Sequence, residues 1–164
     1  MNKRAIFPAS VLMSFVAFGL VTALYLAPAL GAMSDRDALT ALVMIHAYRF
    51  IGLAFLIPGV VAEGLPPEFA RPAAYGDLIA AILAVLSVLM LHEHTPGAFV
   101  LTWVFNVWGT GDLLNAMFQG VRRVGTHPKG PGLLGAAFFI PTVIVPALLI
   151  THGLIFWLLL RTTH

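Results

Sequence analysis

The side chains best suited to chemistry lie in segments that are otherwise rich in Leu, Val, Ala and Phe. Ionisable groups at membrane depth are costly, usually face the interior of a helix bundle and usually have a partner. Two imidazoles, a guanidinium, a carboxylate and an amide make up the main set, and a further carboxylate and amide extend it. The candidate ligand- or cofactor-binding residues are His46, Arg49, Asn106, Asp112 and His152, with Asp77 and Asn115 as a second group.

Helical spacing places several of these residues on shared faces. His46, Arg49 and Leu53 follow the i, i+3, i+7 pattern of one helix face, and Asn106 lies two steps of three residues before Asp112. At a rise of about 1.5 Å per residue, Arg49 and Asn106 come out near the middle of a bilayer, and Asp112 about 10 Å from the cytoplasmic end of its segment. The two helices therefore bring their polar groups to similar depths.

An ion pair is the simplest role for a carboxylate in such a segment. We predict that Arg49 reaches Asp112 and that Asn106 supplies further hydrogen bonds, which locks two helices together. Asp77 is a competing partner for Arg49. Because Asp77 stands at the start of a predicted span, it also fits an N-terminal charge favoured by the helix dipole.

The two histidines in the apolar segments suggest a cofactor. His46 and His152 come out at matching depths of about 10 and 12 Å inside the outer boundary. Neutral imidazole is a good ligand for haem iron, zinc or copper. The sharpest hypothesis is haem b held by His46 and His152, with Arg49 near a propionate or another anion. The alternatives are a hydrogen bond from each histidine to a backbone carbonyl or to Thr151, and a proton relay.

His92 and His94, with Glu93 between them, form a second candidate metal site at the end of an apolar segment, with a solvated loop as the alternative. The chain contains no Gly-rich phosphate loop, no Ser-His-Asp grouping and no H-E-x-x-H motif. The sequence therefore gives no support to a hydrolase or a nucleotide enzyme, and it identifies no catalytic residue.

The composition indicates a membrane protein. The chain is 60% hydrophobic and 10% charged, whereas about a quarter of a typical soluble domain is charged. It has no cysteine, so it has neither a disulfide framework nor a thiolate metal site. The net charge of +2 is not the footprint of a nucleic-acid-binding protein.

Five segments are long and apolar enough to cross a bilayer, since a span needs about 20 mostly apolar residues. We predict an all-α bundle of five transmembrane helices that forms one domain over residues 1–164. The Pro-rich stretch from Glu63 to Asp77 is expected to be its longest cytoplasmic loop. The first segment also resembles a signal peptide with a cleavage site near Ala27, although its apolar stretch is longer than usual. The predicted spans cover about 7–25, 39–61, 74–91, 99–119 and 133–160.

The distribution of basic residues predicts the orientation, because cytoplasmic loops carry an excess of Lys and Arg. Only Arg36 and Arg161 fall on one side. The other side holds Lys3, Arg4, Arg71, Arg122, Arg123 and Lys129. We therefore expect a multi-pass protein of the bacterial inner membrane, with its N-terminus in the cytoplasm and its C-terminus outside.

Four stretches resemble the recurring blocks of an uncharacterised family of small bacterial multi-span membrane proteins. They read HAYRFIGLAFL, LPPEFARPAAYGD, FNVWGTGDLLNA and PTVIVPALLITHGLIF, and the resemblance covers roughly Met44 to Phe156. Ala74 stands where that family has glycine, so the geometry of its loop is not carried over. The positions that the resemblance implicates are Arg49, Pro72, Gly76, Asp77, Asn106, Gly109, Asp112, Pro141, Pro146 and His152.

Three classes of function remain open. The first is a module that binds a cofactor or a small ligand within the bundle, with haem as its sharpest version. The second is a structural or accessory subunit of a larger membrane complex. The third is a proton- or solute-translocating protein that uses Arg49, Asp77 and Asp112 and forms a homo-oligomer to enclose a pathway. In each class the lipid bilayer is the expected environment.

Overall fold

The computed structural model describes residues 3–162, with the side chains of Lys3 and Arg4 outside that description. Over this range the chain is helical and forms no strand. Short π-helical and 3-10 segments interrupt or extend the α-helices. The α-helices are α1 (Lys3–Val21), α2 (Ala27–Gly31), α3 (Asp35–His46), α4 (Pro67–His92), α5 (Ala98–Gln119) and α6 (Val145–Thr162).

Four continuous helical rods in the described part of the chain are long and apolar enough to cross a membrane. They are Ala5–Gly31, Asp35–Leu56, Pro67–His92 and Ile140–Thr162. The fourth predicted span forms α5, which has 22 residues and is long enough, but its polar residues keep it out of this group. The basic side chains of Lys3 and Arg4, which contribute to the predicted orientation, lie outside the described structure.

The second span differs from the prediction in its helix type and its end. It is α-helical only to His46, continues as a 3-10 helix over Ala47–Leu56, and stops before the predicted end at residue 61. A 3-10 helix has three residues per turn, so residues three apart lie above one another. The buried residues of this segment accordingly follow the series Arg49, Gly52 and Phe55. The predicted neighbour of Arg49 on that face, Leu53, is only partly buried.

The third span begins earlier than predicted. α4 starts at Pro67, so most of the expected loop up to Asp77 is helix, with Pro72 inside it. Pro66 and Pro67 suit a helix start because proline has the required φ and needs no N–H partner there. Asp77 therefore lies about 15 Å inside the helix. Its interpretation as a charge at the helix N-terminus is wrong.

The last predicted span is broken. A 3-10 segment over Gly130–Phe138 contains Gly135 at φ 53° and ψ −131°, and a π-helical turn over Ile140–Ile144 leads into α6. The break is fixed by hydrogen bonds to the chain after the second span. Ala136 donates to the Val60 carbonyl at 2.8 Å, and Ala62 donates to the Leu133 carbonyl at 3.0 Å. Helix α6 is thus separate from the segment that precedes Pro141.

Two apolar clusters occupy opposite ends of the bundle. One, centred on Phe55, Phe69 and Leu133, receives its members from the ends of helices near the loops at 57–66 and 120–139. The other contains Leu39, Phe105 and Ile155 and their neighbours. Between the two clusters, polar residues point inward from four inner helices, which are the rod Asp35–Leu56, α4, α5 and α6. The residues of this polar layer are His46, Arg49, Asp77, Asn106, Asp112, Thr151 and His152.

A glycine substitution tests the broken connection before α6. We expect Gly135→Ala to lower the free energy of unfolding by about 1–3 kcal/mol, because its φ and ψ are nearly confined to glycine and an added Cβ would overlap the Val60 carbonyl. Gly132→Ala is the matched control, since no atom lies within 4 Å of its added Cβ. Thermal unfolding in detergent measures both. Equal stability of the two variants would contradict the described geometry.

Candidate functional site

Arg49 is the centre of the polar layer. It is 1% exposed and lies on the 3-10 segment, where the three-residue repeat points it into the bundle. Its Nε donates to Asp77 Oδ1 at 2.7 Å, and its Nη2 donates to Asp112 Oδ2 at 2.7 Å. Its Nη1 donates to the Gly109 carbonyl at 3.1 Å. One side chain therefore joins the second span to α4 and α5.

Arg49 pairs with Asp112, as predicted. It also pairs with Asp77, which the sequence had offered as a competing partner. The two carboxylates do not exclude each other because they bond to different nitrogen atoms of the guanidinium, Asp77 to Nε and Asp112 to Nη2. In their ionised forms, two carboxylates face one guanidinium. Arg49 is therefore committed to acidic partners and is not placed to receive a propionate or another anion, as the sequence had suggested.

Three glycines make room for the three charged side chains. An added Cβ would overlap the Asp77 carboxylate at Gly52, the Asp112 carboxylate at Gly76, and both Arg49 and His152 at Gly109. Each charged group thus packs against the backbone of a neighbouring helix. The sequence analysis missed Gly52, although its spacing of three from Arg49 was a usable signal once the 3-10 geometry is known.

His152 joins α6 to the layer through Asn106 rather than through a metal. Its Nε2 lies 3.3 Å from Arg49 Nη1, which can only donate. His152 must therefore be neutral, accept at Nε2 and carry its proton on Nδ1, which donates to Asn106 Oδ1 at 2.6 Å. The Asn106 amide donates in turn to the His152 carbonyl at 3.3 Å. Asn106 thus makes its side-chain hydrogen bonds to His152 and not to Arg49.

His46 is fully buried beside His152. The centroids of the two rings are 4.2 Å apart, and Phe105 lies against both. His46 Nε2 lies 3.0 Å from Thr151 Oγ1, which matches the hydrogen-bonded alternative in the sequence analysis. His46 Nδ1 has no hydrogen-bond partner within the described residues.

The residues do not fit the haem hypothesis. Two axial imidazoles lie on opposite faces of a porphyrin, whereas His46 and His152 contact each other directly and leave no space for a ring between them. Both ring nitrogens of His152 are already engaged by Arg49 and Asn106. Across residues 3–162, no three His, Cys, Asp or Glu side chains are grouped as a metal site requires.

The remaining candidates lie outside the polar layer. Asn115 is exposed on α5, although it is only three residues from Asp112. His92 and His94 are exposed at the end of α4, where a His94 ring nitrogen lies 2.9 Å from the His92 carbonyl. The structure therefore brings together six of the seven main and second-group candidates, and leaves Asn115 apart.

A cavity of about 450 Å³ lies between α1 and the inner helices, on the side of the polar layer that holds the Phe55 cluster. Its wall is formed by apolar residues, with glycines and prolines, from α1, α4, α5 and the segments before α6. Among the described residues that line it, Asp77 is the one that carries a charge. Asp77 Oδ2 accepts no hydrogen bond from any described residue. The cavity was not foreseen, because it depends on how α1 packs.

These features define a class of protein: an all-helical bundle with helices long and apolar enough to cross a membrane, and with a charged layer between its two apolar clusters. The chain belongs to the DUF8737 family, a domain of unknown function whose family model matches residues 6–160. The match includes the whole polar layer and agrees with the resemblance to an uncharacterised family. Comparisons with curated proteins and with solved structures give no match.

Two glycines of α5 provide a matched test of the close packing around Arg49. In Gly109→Ala the new Cβ would lie 2.7 Å from Arg49 Nη1 and 2.7 Å from His152 Cε1, whereas at Gly111 no atom lies within 4 Å. We expect Gly109→Ala to cost about 1–3 kcal/mol, as overpacking of a core does. Gly111→Ala should leave thermal unfolding in detergent unchanged or raise its midpoint slightly, because alanine favours a helix over glycine. A neutral Gly109→Ala would contradict this packing.

Removal of the guanidinium tests the charge balance of the layer. Arg49→Met leaves two buried carboxylates without their cation, and removing one partner of a buried pair typically costs about 3–5 kcal/mol. The triple variant Arg49→Met, Asp77→Asn, Asp112→Asn removes all three charges and should recover much of this loss. Denaturant unfolding in detergent measures both variants. If the triple variant is no more stable than the single one, the three charges do not balance one another.

Proposed function

We propose that this protein binds a small, largely apolar molecule in the cavity beside α1, with Asp77 holding the polar end of that molecule. The observation that carries the proposal is the placement of Asp77. It is 7% exposed, it shares Arg49 with a second carboxylate, and it lines a cavity that is otherwise apolar. Ligand sites are commonly mostly apolar pockets of about 300–1,000 Å³ with a few polar groups.

The packing favours binding over translocation. On the other side of the polar layer, α3 to α6 close the bundle with fully buried side chains such as Leu39, Leu91 and Phe105. A translocation pathway would have to cross this cluster, whereas the cavity reaches Asp77 without crossing it. Binding at one side of the layer therefore requires no rearrangement of the bundle.

The alternative function is that of a structural or accessory subunit of a larger membrane complex, or of a homo-oligomer. One observation favours it: the hydrogen bonds of Arg49, Asn106 and His152 join four helical rods and account for most of the polar layer. Such a layer orders helices even without a ligand. This alternative gives no role to the cavity or to Asp77 Oδ2, which accepts no hydrogen bond from the described residues.

We further propose that the bundle lies in a bacterial inner membrane as five spans, with α5 as the fourth, the N-terminus in the cytoplasm and the C-terminus outside. The contacts support a grouping of charges at the two ends of the bundle. Arg161 bonds to Asp35, and Arg36 donates to the Leu91 carbonyl, so these two arginines share one end. The more basic loop Arg122–Lys129 adjoins the other cluster, at the proposed cytoplasmic side.

Filling the cavity tests the binding proposal. Ala116 is partly buried and lines the cavity, so Ala116→Phe should occupy it. Ala41, on the exposed face of α3, gives the matched control Ala41→Phe. We expect solvent extraction and mass spectrometry to recover a bound molecule from the purified wild type and from Ala41→Phe, but not from Ala116→Phe. Identical extracts from all three proteins would overturn the proposal.

A further inference from the structure

We infer that the molecule bound in this cavity is a cationic amphiphile, with an apolar body and a single ammonium-type head group that pairs with Asp77. This inference rests on the binding function proposed above and adds the chemical class of the ligand. It follows from three features of the site: the charge of the polar layer, the position of Asp77, and the size and lining of the cavity.

The first feature is the excess of acid over base. Arg49 is the one cation among the three charged side chains, and Asp77 and Asp112 both bond to it. His152 adds no charge, because it must accept from Arg49 at Nε2. Uncompensated charge is expensive in a low-dielectric interior. With both carboxylates ionised, a cation at this position would leave the layer neutral, whereas an anionic ligand would add to the excess.

The second feature is that the two carboxylate oxygens of Asp77 have different surroundings. Oδ1 accepts from Arg49 Nε at 2.7 Å, and this bond fixes the carboxylate. Oδ2 packs against Gly52 and accepts nothing from the described residues. Asp77 lines the cavity and keeps unused acceptor capacity, so its carboxylate is suited to an N–H donor bound there. Hydrogen bonds between ionised groups are roughly twice as strong as neutral ones.

The third feature is the apolar body of the cavity. The described residues of its lining offer no charged group besides Asp77, so a second polar end on the ligand would be left unpaired against them. A cavity of about 150 Å³ holds one benzene, so about 450 Å³ accommodates roughly eighteen carbon atoms. Helix α1 forms one wall, and its most apolar stretch has no buried residue, so it faces lipid. We therefore expect the ligand to enter from the lipid phase.

Three probes with the same chain test the head-group class: dodecylamine, dodecanol and dodecanoate. Each is added in equal amounts to the purified full-length protein in a nonionic detergent, and native mass spectrometry counts the bound molecules. We expect the amine to bind the wild type about tenfold or more tightly than the alcohol, because its head group pairs with Asp77. Dodecanoate should bind least.

Two variants distinguish the contribution of the ligand's head group to binding from that of the apolar cavity. Asp77→Asn leaves Arg49 paired with Asp112 and removes the excess charge, so the protein should stay folded but bind amine and alcohol alike. Ala116→Phe keeps all three charges and should lose both probes. Thermal unfolding without a probe confirms that each variant is folded before its binding is interpreted.

The outcomes distinguish the inference from the proposed function. If amine and alcohol bind equally to the wild type and Ala116→Phe removes both, the cavity binds ligands and the cationic class is wrong. A preference for dodecanoate would also overturn the class. If no probe binds, or if Ala116→Phe changes nothing, both the cationic class and the binding function proposed for the cavity fail.

Discussion

The structure depends on one buried guanidinium. Arg49 is almost fully buried, so its partners must come from the protein, and the two carboxylates that pair with it come from α4 and α5. This requirement fixes which faces of α4 and α5 point inward. It also explains the glycines on three helices, because each charged group needs a neighbouring backbone at close range.

Stability alone does not account for this arrangement. Replacing a buried ion pair or triad by apolar side chains of similar volume is often neutral or even stabilising. An apolar layer at the same depth would therefore serve a purely structural bundle at least as well. The unequal charge of the layer and the contact of Asp77 with the cavity are what a binding function uses. Under the proposed binding function, one apolar cluster closes the bundle and the other adjoins the cavity.

The sequence predicted the helical class, the approximate spans and most members of the polar layer, because hydropathy and the cost of buried charge are local properties. It predicted the pair between Arg49 and Asp112 from depth alone. It could not decide between Asp112 and Asp77, because that choice depended on α4 beginning at Pro67. The sequence did not reveal this helix start, because Pro66 and Pro67 are equally typical of a loop.

Other features required the packed structure. A 3-10 helix and an α-helix both place residues three apart on one side, so the spacing of His46 and Arg49 did not reveal that Gly52, rather than Leu53, completes the buried face. The contact between the His46 and His152 rings removed the haem hypothesis, which matching depth had suggested. Depth gives the position of a side chain along the bundle axis. The rotation of each helix about its own axis decides which neighbours that side chain contacts.

Solid-state NMR of the protein in lipid bilayers tests the central claim most directly. With nitrogen-15 in the arginine side chains and carbon-13 in the aspartate carboxyls, dipolar dephasing reports which carboxylates adjoin Arg49. We predict that Arg49 dephases two carboxyl carbons, that Asp77→Asn removes one of them, and that Asp112→Asn removes the other. Dephasing of a single carboxyl carbon, or of none, would contradict the shared guanidinium on which this account rests.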